Sequence, residues 1–323
     1  MLKLLTTAGA SWHWPFVFLP MFLLGCASQP ERWHLAEVTD AAAVTLDDVP
    51  FHPQDAYHCG PASLLSILQT SGVETDMATL VSQVYLPGRQ GSLQPEMRAA
   101  IRQHGRLAYQ LPGEPTAVIQ AVEAGWPVLI LQNLGLRSRP IWHYAVVIGF
   151  DAERNALLLH SGEQARQWES VHRWTRRWHY ADRWAVIALQ PDQLPPSDEP
   201  AAWLQAASDF ADRANPAEAI TAWQTLLQHR PNEPVAMLGL ANAHYQAGEH
   251  ASSAAVLETL LAQHPGHPAA AHNLAWLMLQ DQRPCQARDV LLSSQEQRAS
   301  QAFEVRIDEL LSEARQACRG GTP

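Results

Sequence analysis

Lysine is almost missing from this chain: of 323 residues Lys3 is the only one, and every later cation is an arginine. That bias is a property of the coding DNA and carries no mechanistic weight. Charge is also scarce, at 17% of residues, and the net charge is −10, which argues against nucleic acid or another polyanion as a partner. No apolar run is long enough to span a bilayer. The longest, roughly Trp14 to Leu24, contains two prolines and falls short of the about 20 residues a spanning helix needs. Cysteine is limited to four, and no Cys/His spacing matches a zinc site. Neither a metal nor a cofactor is therefore expected.

Lys3, the apolar run and its ending Leu23-Leu24-Gly25-Cys26 read as a cleaved export signal over residues 1–25. The Leu-x-Gly-Cys ending resembles the bacterial lipobox. The resemblance implies that Cys26 is acylated and that the protein is anchored in a membrane. Ala27, where a retained lipoprotein would carry Asp, implies the periplasmic side of the outer membrane. Residues 26–48 are polar and Ala-rich and read as a tether. With Cys26 lipidated, three cysteines remain in an oxidising compartment, where structural cysteines tend to pair. Cys285 and Cys318 share the C-terminal region, which leaves Cys59 alone.

Residues 49–189 mix helical and strand patterns. Asp55 to Gln69 reads as a turn followed by a helix and Pro95 to His104 as a second helix. Four short apolar runs, within 128–131, 144–150, 157–159 and 184–189, read as strands. Helices first and strands later point to an α+β domain. The Arg- and Trp-rich stretch from Arg166 to Trp184 reads as a packed helix with arginines stacked on tryptophans. Residues 190–200 hold four prolines and read as a semi-rigid spacer.

From residue 201 the sequence repeats itself. Trp203, Met237 and Ala271 stand 34 apart, as do Ala207, Ala241 and Ala275, and Ala219, Ser253 and Ala287. A 34-residue step with small residues in fixed columns resembles the tetratricopeptide repeat, a helix-turn-helix unit whose concave face commonly binds peptide segments. Three units and a terminal helix, about Gln301 to Ala317, fill residues 201–318. Adjacent helices in such an array run antiparallel. The start of one therefore meets the end of the next, which brings Cys285 to Cys318 and predicts a disulfide.

The chemistry is concentrated around Gln54-Asp55-Ala56-Tyr57-His58-Cys59-Gly60-Pro61. Gly60 and Pro61 suit the first turn of a helix, which places Cys59 at a helix N-terminus. The dipole and free N–H groups there favour thiolate and can hold an oxyanion. Trp142-His143-Tyr144 opens an apolar strand, where an imidazole can take the thiol proton and pass it to a leaving group. Gln-(x)4-Cys-Gly-Pro-Ala, followed by His-Tyr-x-Val-Val-x-Gly 84 residues after the cysteine, is similar to the bacteriocin-processing peptidases. These are papain-like enzymes that cut after double-glycine leaders. The resemblance implies a papain-like α+β cysteine peptidase fold, with Cys59 as nucleophile, His143 as base and Gln54 lining the oxyanion hole.

One departure stands out. The family carries an Asp about 16 or 17 residues after the histidine, whereas this chain reads Leu159-His160-Ser161-Gly162-Glu163. Asp151 lies at the far end of the strand and cannot reach the ring, so the orienting group is expected from His160, Ser161 or Glu163. The leading expectation is a membrane-anchored, thiol-dependent peptidase in the periplasm that acts on a peptide or protein, with repeats that bind a protein partner. The alternative is a degenerate peptidase fold that only binds and recruits.

Overall fold

The computed structural model describes residues 33–53, 57–197, 199–296 and 304–320. The signal segment, Cys26 and Gln54 lie outside the described residues. Among those described, no helix is long and apolar enough to cross a membrane.

The first body is a mixed layer structure. Strands β2 (Leu107–Gln110), β7 (Ala185–Leu189), β3 (Val128–Asn133), β4 (Trp142–Asp151), β5 (Ala156–Ser161) and β6 (Gln164–Ser170) form one antiparallel sheet in that spatial order, and β1 (Ala43–Thr45) pairs with β4. Helices α1 (Cys59–Thr70), α2 (Met77–Val84) and α3 (Gln94–Gln103) cover one face, while α4 (Pro115–Glu123) and α5 (Val171–His179) belong to the apolar cluster on the other. The sheet is covered on both sides, so its central strands read as continuous apolar runs; β3 and β7 are buried along their whole length.

Three expectations need correction here. The proposed tether is folded from residue 33 onward: Leu35 is buried in the core and β1 adds to the sheet, because Leu35 and Val44 supply apolar surface that the sheet covers. The Arg- and Trp-rich stretch is not one helix. Residues 164–170 form the edge strand β6, and only 171–179 turn into α5. There Trp174 and Trp178 are buried and stacked on each other, with Arg173 and Arg176 exposed. The stacked arginine is Arg154, which lies over Trp168 from outside the stretch.

Nor does the Pro-rich segment act as a spacer. It leads into α6 (Pro200–Ala211), which packs on β2, and one apolar cluster runs from Tyr109 and Leu189 through Trp203 and Phe210 to Trp223 and Leu240. Trp203 meets Tyr109 edge-on at 6.3 Å, and Asp209 accepts a 2.6 Å bond from Arg98 of α3. The cause is the first repeat's position. A terminal unit has one repeat neighbour, and the apolar side left over needs another partner.

The remaining helices are α7 (Pro216–His229), α8 (Pro234–Gln246), α9 (His250–Gln263), α10 (Pro268–Gln280), α11 (Pro284–Glu296) and α12 (Glu304–Gly320). Helix starts at 200, 234 and 268, and at 216, 250 and 284, keep the 34-residue step. Proline opens five of these six helices, at the one turn where its missing N–H costs nothing. The small columns are where helices touch. Ala207, Ala241 and Ala275 are fully buried, and outside the columns Gly239 lies so close to the Trp223 indole that a Cβ there would overlap the ring. At the far end Cys285, in the first turn of α11, is disulfide-bonded to Cys318 near the end of α12, with Cα atoms 4.9 Å apart. Closing a loop of that size is worth about 3 to 4 kcal/mol in the chain-entropy model.

Candidate active site

Cys59 is the first residue of α1 and the free cysteine of the described chain. The helix is buried from Gly60 to Leu68 and packs on β4, which holds the sulfur at the start of that strand. The N–H groups of Tyr144, Gly60 and Cys59 itself point at the sulfur. Two of these belong to the helix start, so the expected cradle of backbone donors is present. Burial is nevertheless the larger influence, and it pushes the thiol above its usual range despite the three donors. The helix terminus alone had suggested a thiolate. In the folded protein desolvation outweighs it, and the resting group is the thiol.

His143 is the second residue of β4. Its Nε2 is 2.9 Å from the Ser161 hydroxyl at the end of β5. Residues 152–155 turn the chain so that β5 returns alongside β4, with His160 opposite Val146 and a bulge between Val147 and Gly149. That return puts Ser161, of the three candidates, on the ring. His160 serves elsewhere: its Nε2–H donates to the Val49 carbonyl at 3.1 Å while Nδ1 accepts from the Arg166 N–H. It thereby pins the segment that leads to the cysteine loop. Glu163 is exposed in the turn before β6. Cys59 and His143 are not hydrogen-bonded to each other in this conformation.

A hydroxyl orients a ring but cannot balance its positive charge. Burial, and then the Arg177 guanidinium, drop the His143 pKa to about 4. The buried carboxylate nearby, Glu169, is committed to Arg177 at 2.6 Å and to the Gln132 amide at 3.2 Å, and Gln132 sits directly opposite His143 across β3 and β4. Sequence reasoning missed this Gln132–Glu169–Arg177 group, since nothing in the pattern says that an edge-strand Glu turns inward. At neutral pH the pair is thus an uncharged thiol, against the Tyr144 N–H, and an uncharged imidazole, against the Ser161 hydroxyl. The chemistry open to it is a thiol attack in which the proton moves as the bond to sulfur forms.

Residues 46–191 match the model described as the Peptidase_C39 like family. Residues 204–268 and 245–306 match two tetratricopeptide repeat models. The first body is a C39-like peptidase domain. Among solved structures, the C39-like domain is similar to a protein described as a C39-like peptidase from Bacillus anthracis, at 17% identity over 46% of this chain and 98% of that one, TM-score 0.40. It is also similar to a double glycine motif protease from an AMS/PCAT transporter, solved with its leader peptide, at 19% identity over 44% and 91%, TM-score 0.36. The helices are similar to the TPR2B domain of yeast Sti1, solved with pHsp70, at 14% identity over 35% and 94%, TM-score 0.33. No curated protein matches the chain.

The repeats carry a concavity. A cavity of about 310 Å³ lies between α8 and α10, lined among others by Asn242, Tyr245, His272, Asn273 and Trp276. Asn273 donates to Asn242 at 3.2 Å, and Trp276 meets Tyr245 edge-on. Neither α8 nor α10 contains an Asp, Glu, Lys or Arg, so what these two helices offer the groove is chiefly amide, imidazole and aromatic contact.

Proposed function

We propose that the protein hydrolyses peptide or amide bonds through Cys59, with His143 as general base and Ser161 orienting it. The observation that carries this reading is the 2.9 Å contact between His143 Nε2 and Ser161, at the strand end where the Cys59 sulfur meets the Tyr144 N–H. As the sulfur attacks, its proton passes to His143 and the carbonyl electrons move to oxygen, held by the N–H groups at the start of α1. The C–N bond then breaks and the amine leaves with the proton from His143. Water, deprotonated in turn by His143, releases the acid from the thioester and restores the thiol. Gln54 is proposed as a further oxyanion donor.

The test is hydrolysis of a quenched-peptide library by the full chain, which Cys59→Ala and His143→Ala are expected to abolish. A rate that survives in Cys59→Ala ends the thiol reading. The pH profile adds a second check. With His143 near 4 and the thiol raised, no imidazolium exists at neutral pH to be lost on the alkaline side. The rate should climb through about pH 4 and stay level past pH 8, whereas a fall on the alkaline side, the mark of an imidazolium being lost, contradicts the neutral pair.

We further propose that Cys26 is acylated, which places the domain on the periplasmic face of the outer membrane, and that the α8–α10 groove binds an uncharged segment of a protein partner. Metabolic labelling with a fatty-acid analogue is expected to mark the wild type and spare Cys26→Ser. Equal labelling of the two removes the anchor.

A further inference from the structure

The turn between β3 and β4, residues 134–141, exposes more large apolar surface than any other short segment of the described chain. Leu136 is 69% exposed, Ile141 61% and, at the start of β4, Trp142 53%. Isolated apolar residues on a surface mean little, but a contiguous group marks a contact site. This group is held in place. The Asn133 side-chain oxygen accepts from the N–H groups of Gly135 and Ile141 at 2.9 and 3.0 Å, and Leu136 bridges to Arg139. Gly135 has no room for a Cβ, which would meet the Arg139 carbonyl. The apolar side chains are therefore presented by a rigid tip. Between them stand Arg137 and Arg139, both exposed and neither with a side-chain partner among the described residues. No acid occurs between Leu134 and Phe150, so the tip is a local cation on a chain of net charge −10.

We infer that this hairpin is the substrate-docking wall of the Cys59 site, and that it selects an extended peptide with apolar residues against Leu136, Ile141 and Trp142 and acidic residues facing Arg137 and Arg139. The inference rests on the peptidase reading, since it takes the wall to serve that site. Two observations favour a peptide over other occupants. Trp142 stands two residues before Tyr144, whose N–H meets the Cys59 sulfur, so the tip adjoins the site. The charge on the tip calls for an acidic ligand.

The experiment uses the full chain and two thiol-directed probes, vinyl sulfones on one apolar tripeptide, extended by two Asp or by two Arg. Cys59 is expected to react about tenfold faster with the Asp probe at low salt, within the range electrostatic focusing supplies, and the advantage should shrink at high salt. The double variant Arg137→Glu/Arg139→Glu, at exposed unpaired positions where folding is not at stake, is expected to invert the preference. Leu136→Ser should slow both probes several-fold. A ratio near one in the wild type, or a ratio untouched by charge reversal, overturns the inference. So does a sedimentation dimer, or flotation with anionic vesicles, that Leu136→Ser abolishes, since either gives the tip another occupant. Hydrolysis is scored separately. A chain that labels with this preference yet cleaves nothing refutes the peptidase reading and leaves the wall, while one that cleaves without preference does the reverse.

Discussion

Ser161→Asp is expected to speed the proposed hydrolysis. The wild-type hydroxyl aims the His143 ring at 2.9 Å but leaves its cation uncompensated, and burial with Arg177 brings the pKa to about 4. A carboxylate at the same place keeps the aim and adds an opposite charge, which raises the imidazole pKa and with it the share of the thiolate–imidazolium pair. Removing the acid of a well-studied Ser-His-Asp triad costs about 10⁴ in kcat. Part of that contribution is orientation, which Ser161 already supplies, so the gain in kcat/KM should be about 10- to 100-fold. Two other readouts move with it. Alkylation of Cys59 by iodoacetamide at pH 7, slow in the wild type because burial raises the thiol, should accelerate. A fall in rate on the alkaline side should also appear as the new imidazolium is lost. An unchanged labelling rate in a folded Ser161→Asp variant defeats the claim that the missing charge limits the pair.

Ser161 also illustrates where sequence reasoning stops. The hairpin from β4 into β5 follows from the turn residues after Asp151, and it narrows the orienting group to three positions. Choosing among them depends on the bulge between Val147 and Gly149, a one-residue shift with no clear trace in the pattern. The placement of Cys59 at a helix start was legible because Gly60 and Pro61 have only a few uses next to a cysteine. Its protonation was not. The dipole argument is local, whereas the desolvation that outweighs it comes from helices and strands distant in sequence. β6 was misread for a related reason: an edge strand with one buried residue, Glu169, has little apolar alternation to show. The repeats were the most legible part, since a column of small residues recurring every 34 positions reports helix contact directly.

What the Pro-rich segment does could not be read from composition, and it leads to the largest expected effect on stability. A chain ending at Gln190 is expected not to fold cooperatively. β2 is the terminal strand of the sheet beside α6, and without α6 its buried Tyr109 loses both the Trp203 ring and the Ser197 hydroxyl at 3.0 Å. Arg98 loses Asp209 at the same time. Within the full chain, Trp203→Ala should cost about 3 to 5 kcal/mol, the usual range for emptying a buried Trp site. That is a large share of the about 5 to 15 kcal/mol a domain has in total. Its effect should reach both bodies, because Trp203 belongs to the cluster that joins the sheet to α7 and α8. Unfolding in denaturant, followed by near-ultraviolet circular dichroism and by the exposure of Cys59 to a thiol reagent, should therefore give a single transition in the wild type. In Trp203→Ala both signals should shift together. Two separated transitions, with the Cys59 signal unmoved by Trp203→Ala, would mean that the repeats hang from the peptidase domain as an independent array.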